Sequence, residues 1–147
     1  MQARRMVESD LEAVLAIENG SFHTPWSRES FERELKENRL AQYYVLEVDQ
    51  EVVAYCGMWI IIDEAHITNV AVMPNLRRRG YAKALIAYVL ASLTEQTVSQ
   101  VTLEVRVGNI EAIKLYESFG FKSVGIRPGY YQDTKEDASI MWITLEA

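Results

Sequence analysis

Three runs rich in β-branched and aromatic residues, YYVLEV (43–48), VVAYCGMWIII (52–62) and HITNVAV (66–72), succeed one another with only short polar turns between them, at 49–51 and around 63–64. Such runs favour extended backbone, and connections this short suit hairpins, so the centre of the chain is predicted to be an antiparallel meander. The next segment breaks the pattern. Over residues 80–95 the apolar Leu85, Ile86, Val89, Leu90 and Leu93 share one helical face, and QVTLEVRV then returns as a strand. A strand, helix, strand order calls for a parallel crossover, so the sheet is expected to be mixed.

The remaining elements surround this centre. A short strand is expected at residues 3–6, then a helix opened by Ser9 and Glu12 as a capping box, with Leu11, Val14, Leu15 and Glu18 on one apolar edge and its end near Gly20. PWSRESFERELKEN predicts a second helix, N-capped by Ser27, that turns Phe31 and Leu35 inward and its charges outward. Residues 109–119 predict a short helix stopped by Gly120, and FKSVGIRPGYY and ASIMWITL predict two last strands. The predicted order is β-α-α-β-β-β-α-β-α-β-β, an α/β chain of the α+β kind with a mixed sheet. There is no repeat, low-complexity tract or Gly/Ser/Pro linker, and 49% of the residues are hydrophobic, so the chain is expected to form a single domain, 1–147.

No run of about 18 apolar residues is present, and the start, MQARRMVESDLEAV, lacks the apolar stretch of about 7 to 15 residues that a secretory signal needs. A cytoplasmic location is expected. With 21 acidic against 15 basic residues, a formal charge of −6, the surface as a whole repels nucleic acid and suits partners that carry amines. Neither a membrane nor a direct nucleic-acid partner is expected. The one cysteine, Cys56, lies in an apolar run and reads as a small buried hydrophobe. His23 and His66 lack metal-ligand spacing: His23 reads as loop packing, His66 as a strand residue with an ordinary partner, and no metal is predicted.

One segment runs against the acidic surface. VMPNLRRRGYAKALIAYVL (72–90) sets Arg77, Arg78, Arg79 and Gly80 between the third central strand and the apolar helix. The first turn of a helix leaves backbone N–H groups free at the positive end of its dipole. Gly80 permits close approach there, Ala82 keeps the turn unobstructed, and the arginines add forked donors suited to phosphate. A diphosphate is the natural guest; the alternative is a solvated cationic face. The segment is neither G-x-x-x-x-G-K-[ST] nor G-x-G-x-x-G, so neither nucleotide hydrolysis nor hydride transfer is indicated, and no basic stripe interleaved with exposed aromatics points to nucleic acid.

LRRRGYA at the end of ITNVAVMP, the apolar helix after it and then LEVRVGNIEAIKLYESFGF together resemble the GCN5-related N-acetyltransferase (GNAT) superfamily, whose acetyl-CoA signature Q/R-x-x-G-x-G/A reads here as Arg77, Gly80 and Ala82. The likeness spans nearly the whole chain. PWS near the N-terminus, the LEVR to GF stretch and a later R..YY make it most similar, within the superfamily, to the RimI-type ribosomal-protein alanine N-acetyltransferases. The resemblance implies the GNAT fold and transfer of acetyl from acetyl-CoA to a protein N-terminus, an alanine of a small-subunit ribosomal protein. It further implies that the backbone of Val70, Ala71 and Val72 meets pantetheine, that the loop of Arg77, Arg78, Arg79, Gly80, Tyr81 and Ala82 holds the pyrophosphate, and that Asn109 contacts the same ligand. The physical reading agrees, because a strand splayed from its neighbour has backbone groups free for the pantetheine amides. Asn109, just before a helix, reads equally as an N-cap.

Acyl transfer from a thioester to an amine needs a neutral amine, a stabilised oxyanion and a proton for the departing thiolate. Glu104 alternates with Leu103 and Val105 and so takes the opposite sheet face. Partly buried there, its carboxyl is expected to have a raised pKa and to accept the ammonium proton; the resemblance implies this base role, and the alternative is a strand-face glutamate paired with a basic residue. Tyr116 lies two helical turns beyond Asn109 on the same face. The resemblance assigns its phenol to protonating the thiolate; the alternative is an aromatic packed on the sheet. A backbone N–H at residues 70–72 is expected at the oxyanion. The acceptor is expected between the loop residues Phe22, His23, Pro25 and Trp26 and the hairpin residues Arg127, Tyr130 and Tyr131, a groove suited to an extended peptide, with at least one of Phe22 and Trp26 serving as packing. The competing readings are a lysine side chain or small amine as acceptor, and a module that binds acetyl-CoA without turnover. A monomer or weak dimer is expected.

Overall fold

The computed structural model describes residues 1–22 and 25–145; the reading of His23 therefore lies outside the described residues. The elements are β1 (Gln2–Arg5), α1 (Leu11–Ser21), α2 (Arg28–Glu37), β2 (Ala41–Val48), β3 (Glu51–Ile61), β4 (Glu64–Val72), α3 (Tyr81–Glu95), β5 (Gln100–Arg106), α4 (Ile110–Ser118), β6 (Lys122–Arg127) and β7 (Ala138–Thr144), the order predicted. They build a seven-stranded sheet, β1-β2-β3-β4-β5-β7-β6. The meander β2, β3, β4 is antiparallel, and β4 pairs parallel with β5 across the α3 crossover. β7 then inserts between β5 and β6, antiparallel to both.

Alternation along the strands divides the apolar residues between two layers. Leu85, Ile86, Val89 and Leu93 of α3 and Tyr116 of α4 pack with Val101, Leu103 and Val105 of β5 in one core cluster. In the second, Leu11, Val14 and Ile17 of α1 and Phe31 of α2 pack with Tyr43, Val45 and Tyr55. Cys56 is fully buried in the first layer, where desolvation pushes its thiol up to about 12 and leaves it without nucleophilic character. Among the described residues no helix is long and apolar enough to cross a membrane.

The helix starts differ from expectation at one point. Ser9 and Glu12 do not form the capping box. Residues Glu8–Asp10 form a 3-10 turn instead, in which the Asp10 carboxyl accepts the Val7 N–H at 2.8 Å and pairs with Arg4 at 2.8 Å. A charged partner on β1 draws Asp10 into the cap and leaves Ser9 exposed. Ser27 caps α2 as predicted, its Oγ accepting the Ser30 N–H at 3.2 Å.

Candidate active site

The site begins with a fault in the sheet. Parallel pairing of β4 with β5 runs from Glu64 opposite Gln100 to Ile67 opposite Leu103, yet β4 continues to Val72 and β5 to Arg106. On the other side of β4, Gly57 faces Asn69 while its neighbour Met58 faces Ile67, so Thr68 is an extra residue, a β-bulge. A bulge bends its strand and adds twist, and this one sits where β4 leaves β5. It also explains Gly57: a Cβ there would lie 2.3 Å from Tyr43 Cε1 and 2.8 Å from Asn69 Oδ1. Past Ile67, among the described residues, no strand covers the β5-facing edge of β4.

Two clefts open onto this gap. The larger, of about 590 Å³, is lined by Val70, Ala71 and Val72, by Arg77, Arg78, Gly80, Tyr81, Ala82 and Lys83, and by Asn109 and Tyr116. Gly80 enters α3 with φ +81°, a conformation that suits glycine, and nothing lies within 4 Å of where its Cβ would be. No side chain caps α3, and its first internal backbone bond is Ala84 N–H to Gly80 O. The N–H groups of the first turn are thus left without intrahelical acceptors at the cleft wall. Arg77 is braced from below, donating to Val72 O at 3.3 Å and to Ser21 Oγ at 2.9 Å, and Arg78 pairs with Glu111 across the cleft mouth. Arg79 is exposed and is not part of the lining.

The smaller cleft, of about 200 Å³, shares Phe22, Val70, Asn109, Ala112 and Tyr116 with the first and adds Thr68, Asn69, Glu104, Arg106 and Tyr131. Tyr116 reaches it from the α3/α4 layer, Glu104 from the other face of the sheet. Asn109 caps α4, its Oδ1 accepting the Ala112 N–H at 3.2 Å. The Tyr116 ring packs on Phe121. Among the described residues its hydroxyl has no hydrogen-bond partner, and since no fully enclosed side-chain oxygen or nitrogen there lacks one, this hydroxyl keeps its access to the cleft. Burial of the ring raises the phenol above its ordinary pKa, so it keeps its proton.

Glu104 departs from the expectation of a raised pKa. His66 Nε2 lies 2.6 Å from Glu104 Oε2 and Arg127 Nη1 lies 3.4 Å from Oε1, and the His66 hydrogen bond, outweighing desolvation, holds the carboxyl below its usual range. His66 is a residue of β4 with a carboxylate partner, as expected, and that partner is the candidate base Glu104. The parallel register brings the two together: His66 stands beside Thr102, and Glu104 lies two residues further along the same face.

Trp26 packs on Phe31 with ring centroids 5.3 Å apart and joins the second core layer, whereas Phe22 is exposed and lines both clefts. Beyond Tyr131 the surface widens into an open cleft of about 620 Å³ beside Arg106, Tyr130 and Tyr131. Arg127 lies 5.2 Å from the Tyr130 ring centre, and Arg106 lies 4.0 Å from that of Tyr131 while pairing with Asp133 at 2.9 Å. Arg106 is not among the predicted site residues, although its alternation with Glu104 puts it on the same face.

The model of the acetyltransferase (GNAT) family matches residues 11–121. The chain belongs to this family. It is 42% identical over 142 residues to a Bacillus subtilis (strain 168) protein provisionally named a ribosomal protein bS18-alanine N-acetyltransferase, covering 97% of this chain and 94% of that protein. It is 36% identical over 139 residues to the ribosomal protein bS18-alanine N-acetyltransferase of Escherichia coli (strain K12), covering 93% of each. The crystal structure of the Escherichia coli ribosomal-protein-S18-alanine N-acetyltransferase superposes with a TM-score of 0.90 at 32% identity, covering 99% of this chain and 94% of that one. Ard1 from Thermoplasma volcanium superposes with a TM-score of 0.88 at 28% identity, covering 99% and 98%.

Enzymes of this family use acetyl-CoA as acetyl donor, and the larger cleft fits such a ligand. It offers an uncapped helix N-terminus with glycine clearance for a diphosphate and an uncovered strand edge for the amides of a pantetheine arm.

Proposed function

We propose that this N-acetyltransferase moves the acetyl group of acetyl-CoA to the α-amine of a protein beginning with alanine, by direct attack of the amine on the thioester, and that its acceptor is the N-terminus of ribosomal protein bS18. The observation that carries the transfer chemistry is the meeting of two clefts at the β4/β5 gap, between Val70, Asn109 and Tyr116. Through that gap an amine approaching from the smaller cleft reaches a thioester held in the larger one. The choice of acceptor rests on the activity named for the Escherichia coli relative.

In this reading Arg77, Arg78 and the N–H groups of Tyr81 and Ala82 hold the diphosphate, the edge of β4 at Val70, Ala71 and Val72 holds the pantetheine arm, and an N–H of that edge stabilises the oxyanion. The Glu104 carboxylate draws the acceptor's ammonium into the smaller cleft; one proton leaves to solvent to give the neutral amine, and Glu104 takes the second, lost as the C–N bond forms. A carboxylate held low is a weak proton acceptor, so the proton is passed outward; His66, partly exposed and 2.6 Å away, links Glu104 to solvent. When the C–S bond breaks, Tyr116 donates its hydrogen bond to the sulfur. Phe22, Arg127, Tyr130 and Tyr131 flank the acceptor backbone, and Trp26 supports the loop from beneath.

Thiol release from acetyl-CoA tests this. An alanine-starting peptide is compared with the same peptide carrying a blocked N-terminus and a free internal lysine. Turnover only with the free terminus is the expected result; turnover with the blocked peptide would move the acceptor to lysine side chains, and turnover with neither would end the N-terminal reading.

A further inference from the structure

α1 carries a carboxyl group that the proposed reaction does not use. Glu18 is 2% exposed, and among the described residues no cation pairs with it. Burying such a group is costly unless its oxygens are satisfied, and here both are. Oε2 accepts the backbone N–H of Trp26 at 2.8 Å, and Oε1 accepts the Tyr55 hydroxyl. The chain of donors continues, with Asn69 Nδ2 donating to the Tyr55 oxygen at 3.4 Å and Thr68 Oγ1 donating to Asn69 Oδ1 at 2.8 Å. One buried acid thus ties the α1–α2 loop at Trp26 to the bulge of β4 at Thr68 and Asn69.

The strand end of this chain of donors, Thr68 and Asn69, lines the smaller cleft, and so does Phe22 at the end of α1, whose N–H donates to the Glu18 carbonyl at 3.1 Å. A hydrophobic side chain at position 18 would suit the apolar edge of α1 better, yet it would leave the Trp26 N–H and the Tyr55 hydroxyl without acceptors. We infer that Glu18 is a positioning residue for the acceptor: through Tyr55 and Asn69 it sets the width of the acceptor cleft by holding the end of α1, together with Trp26, to the β4 bulge. This rests on the reading of the smaller cleft as the acceptor site.

The test uses Glu18→Gln, Tyr55→Phe and the double variant. A glutamine has one acceptor oxygen where two donors converge, so one link of the chain breaks. Tyr55→Phe keeps the ring, whose centroid lies 5.8 Å from that of Phe31, and removes only the hydroxyl. Each single variant is expected to raise KM for the alanine-starting peptide about 5- to 10-fold, the scale of one lost buried hydrogen bond, with KM for acetyl-CoA and kcat within about twofold of the parent. The double variant is expected to be no worse than the poorer single, since both cut one chain. Unchanged peptide KM in Tyr55→Phe, equal rises in both KM values, or additive effects would overturn the inference. If the parent acetylates no peptide, the acceptor reading falls, and amide exchange then decides the link: in both variants the Trp26 amide and the Thr68 and Asn69 amides must exchange faster together. Faster exchange at only one end would refute it.

Discussion

Tyr116→Phe separates chemistry from folding more cleanly than any other change at this site. The hydroxyl has no partner among the described residues, and the ring that stays behind keeps its packing on Phe121. Removing an unbonded hydroxyl at a cleft wall leaves no orphaned donor or acceptor, so the fold should lose less than about 0.5 kcal/mol. For a chain of 147 residues, about 1 kcal/mol corresponds to roughly 3 to 5 °C in Tm, so the expected shift is below about 2 °C. The rate responds differently. Burial raises the phenol pKa, so it sits further above the thiol range of about 8.5 than a free phenol at about 10 does, and full proton transfer to a thiolate is uphill. In the proposed reaction the phenol is therefore expected to act as a hydrogen-bond donor to developing negative charge on sulfur. Such a bond contributes about 1.5 to 3 kcal/mol, so kcat should fall about 10- to 150-fold. KM for acetyl-CoA should barely move, because the bond strengthens only as charge develops. Steady-state thiol release and a thermal melt on the same preparation check both halves. An unchanged kcat refutes the donor role. A Tm loss beyond about 5 °C would show that the hydroxyl has a structural partner and that the fall in rate has another source.

Because His66 holds the Glu104 carboxyl low, Glu104 should set no inflection in kcat/KM above about pH 5; the rise with pH should track the acceptor amine near about pH 8, and Glu104→Gln should lower the profile evenly across that range. The depressed pKa also stabilises the fold above the unfolded value of about 4.3 and loses that contribution as pH falls through the folded value, so the Tm gap between parent and Glu104→Gln should close below about pH 4; a gap that widens there would reverse the sign. Arg79→Ala should leave KM for acetyl-CoA within about twofold, its side chain being outside the cleft, while Arg77→Ala should raise it about 5-fold or more by removing a charged donor and the brace on Val72 and Ser21, and a larger effect at Arg79 would redraw the diphosphate site. Gly57→Ala should cost about 1 to 3 kcal/mol, because its Cβ meets Tyr43 and Asn69, and the melt would contradict the packing argument if Tm held.

The division between what the sequence discloses and what it hides is physical. Alternation and helical periodicity report which face a side chain takes, and on that basis the strands, the α3 face and the position of Glu104 opposite Leu103 and Val105 are legible. The arginine and glycine segment is legible too, since a helix start after a strand is a local feature. Register is different. β4 and β5 are joined through α3, so nothing local fixes which residue of one strand meets which of the other, and the approach of His66 to Glu104 appears only when the strands are paired. The expectation of a raised Glu104 pKa fails for that reason, since it weighs burial without a partner on the neighbouring strand. The bulge at Thr68 is equally hidden, because ITNVAV reads as an unbroken strand and the signal for the break lies across the sheet, at a glycine of β3. Glu18 does carry a local sign, a carboxyl on an apolar helix edge, and its meaning comes only with Tyr55 and Trp26. The gap between β4 and β5, the bulge that opens it and the acids beside it are all consequences of pairings distant in sequence. The proposed site, at a parallel seam, is therefore least readable where the reaction is placed, and the variants at Gly57 and Glu18 test parts of it that a motif does not mark.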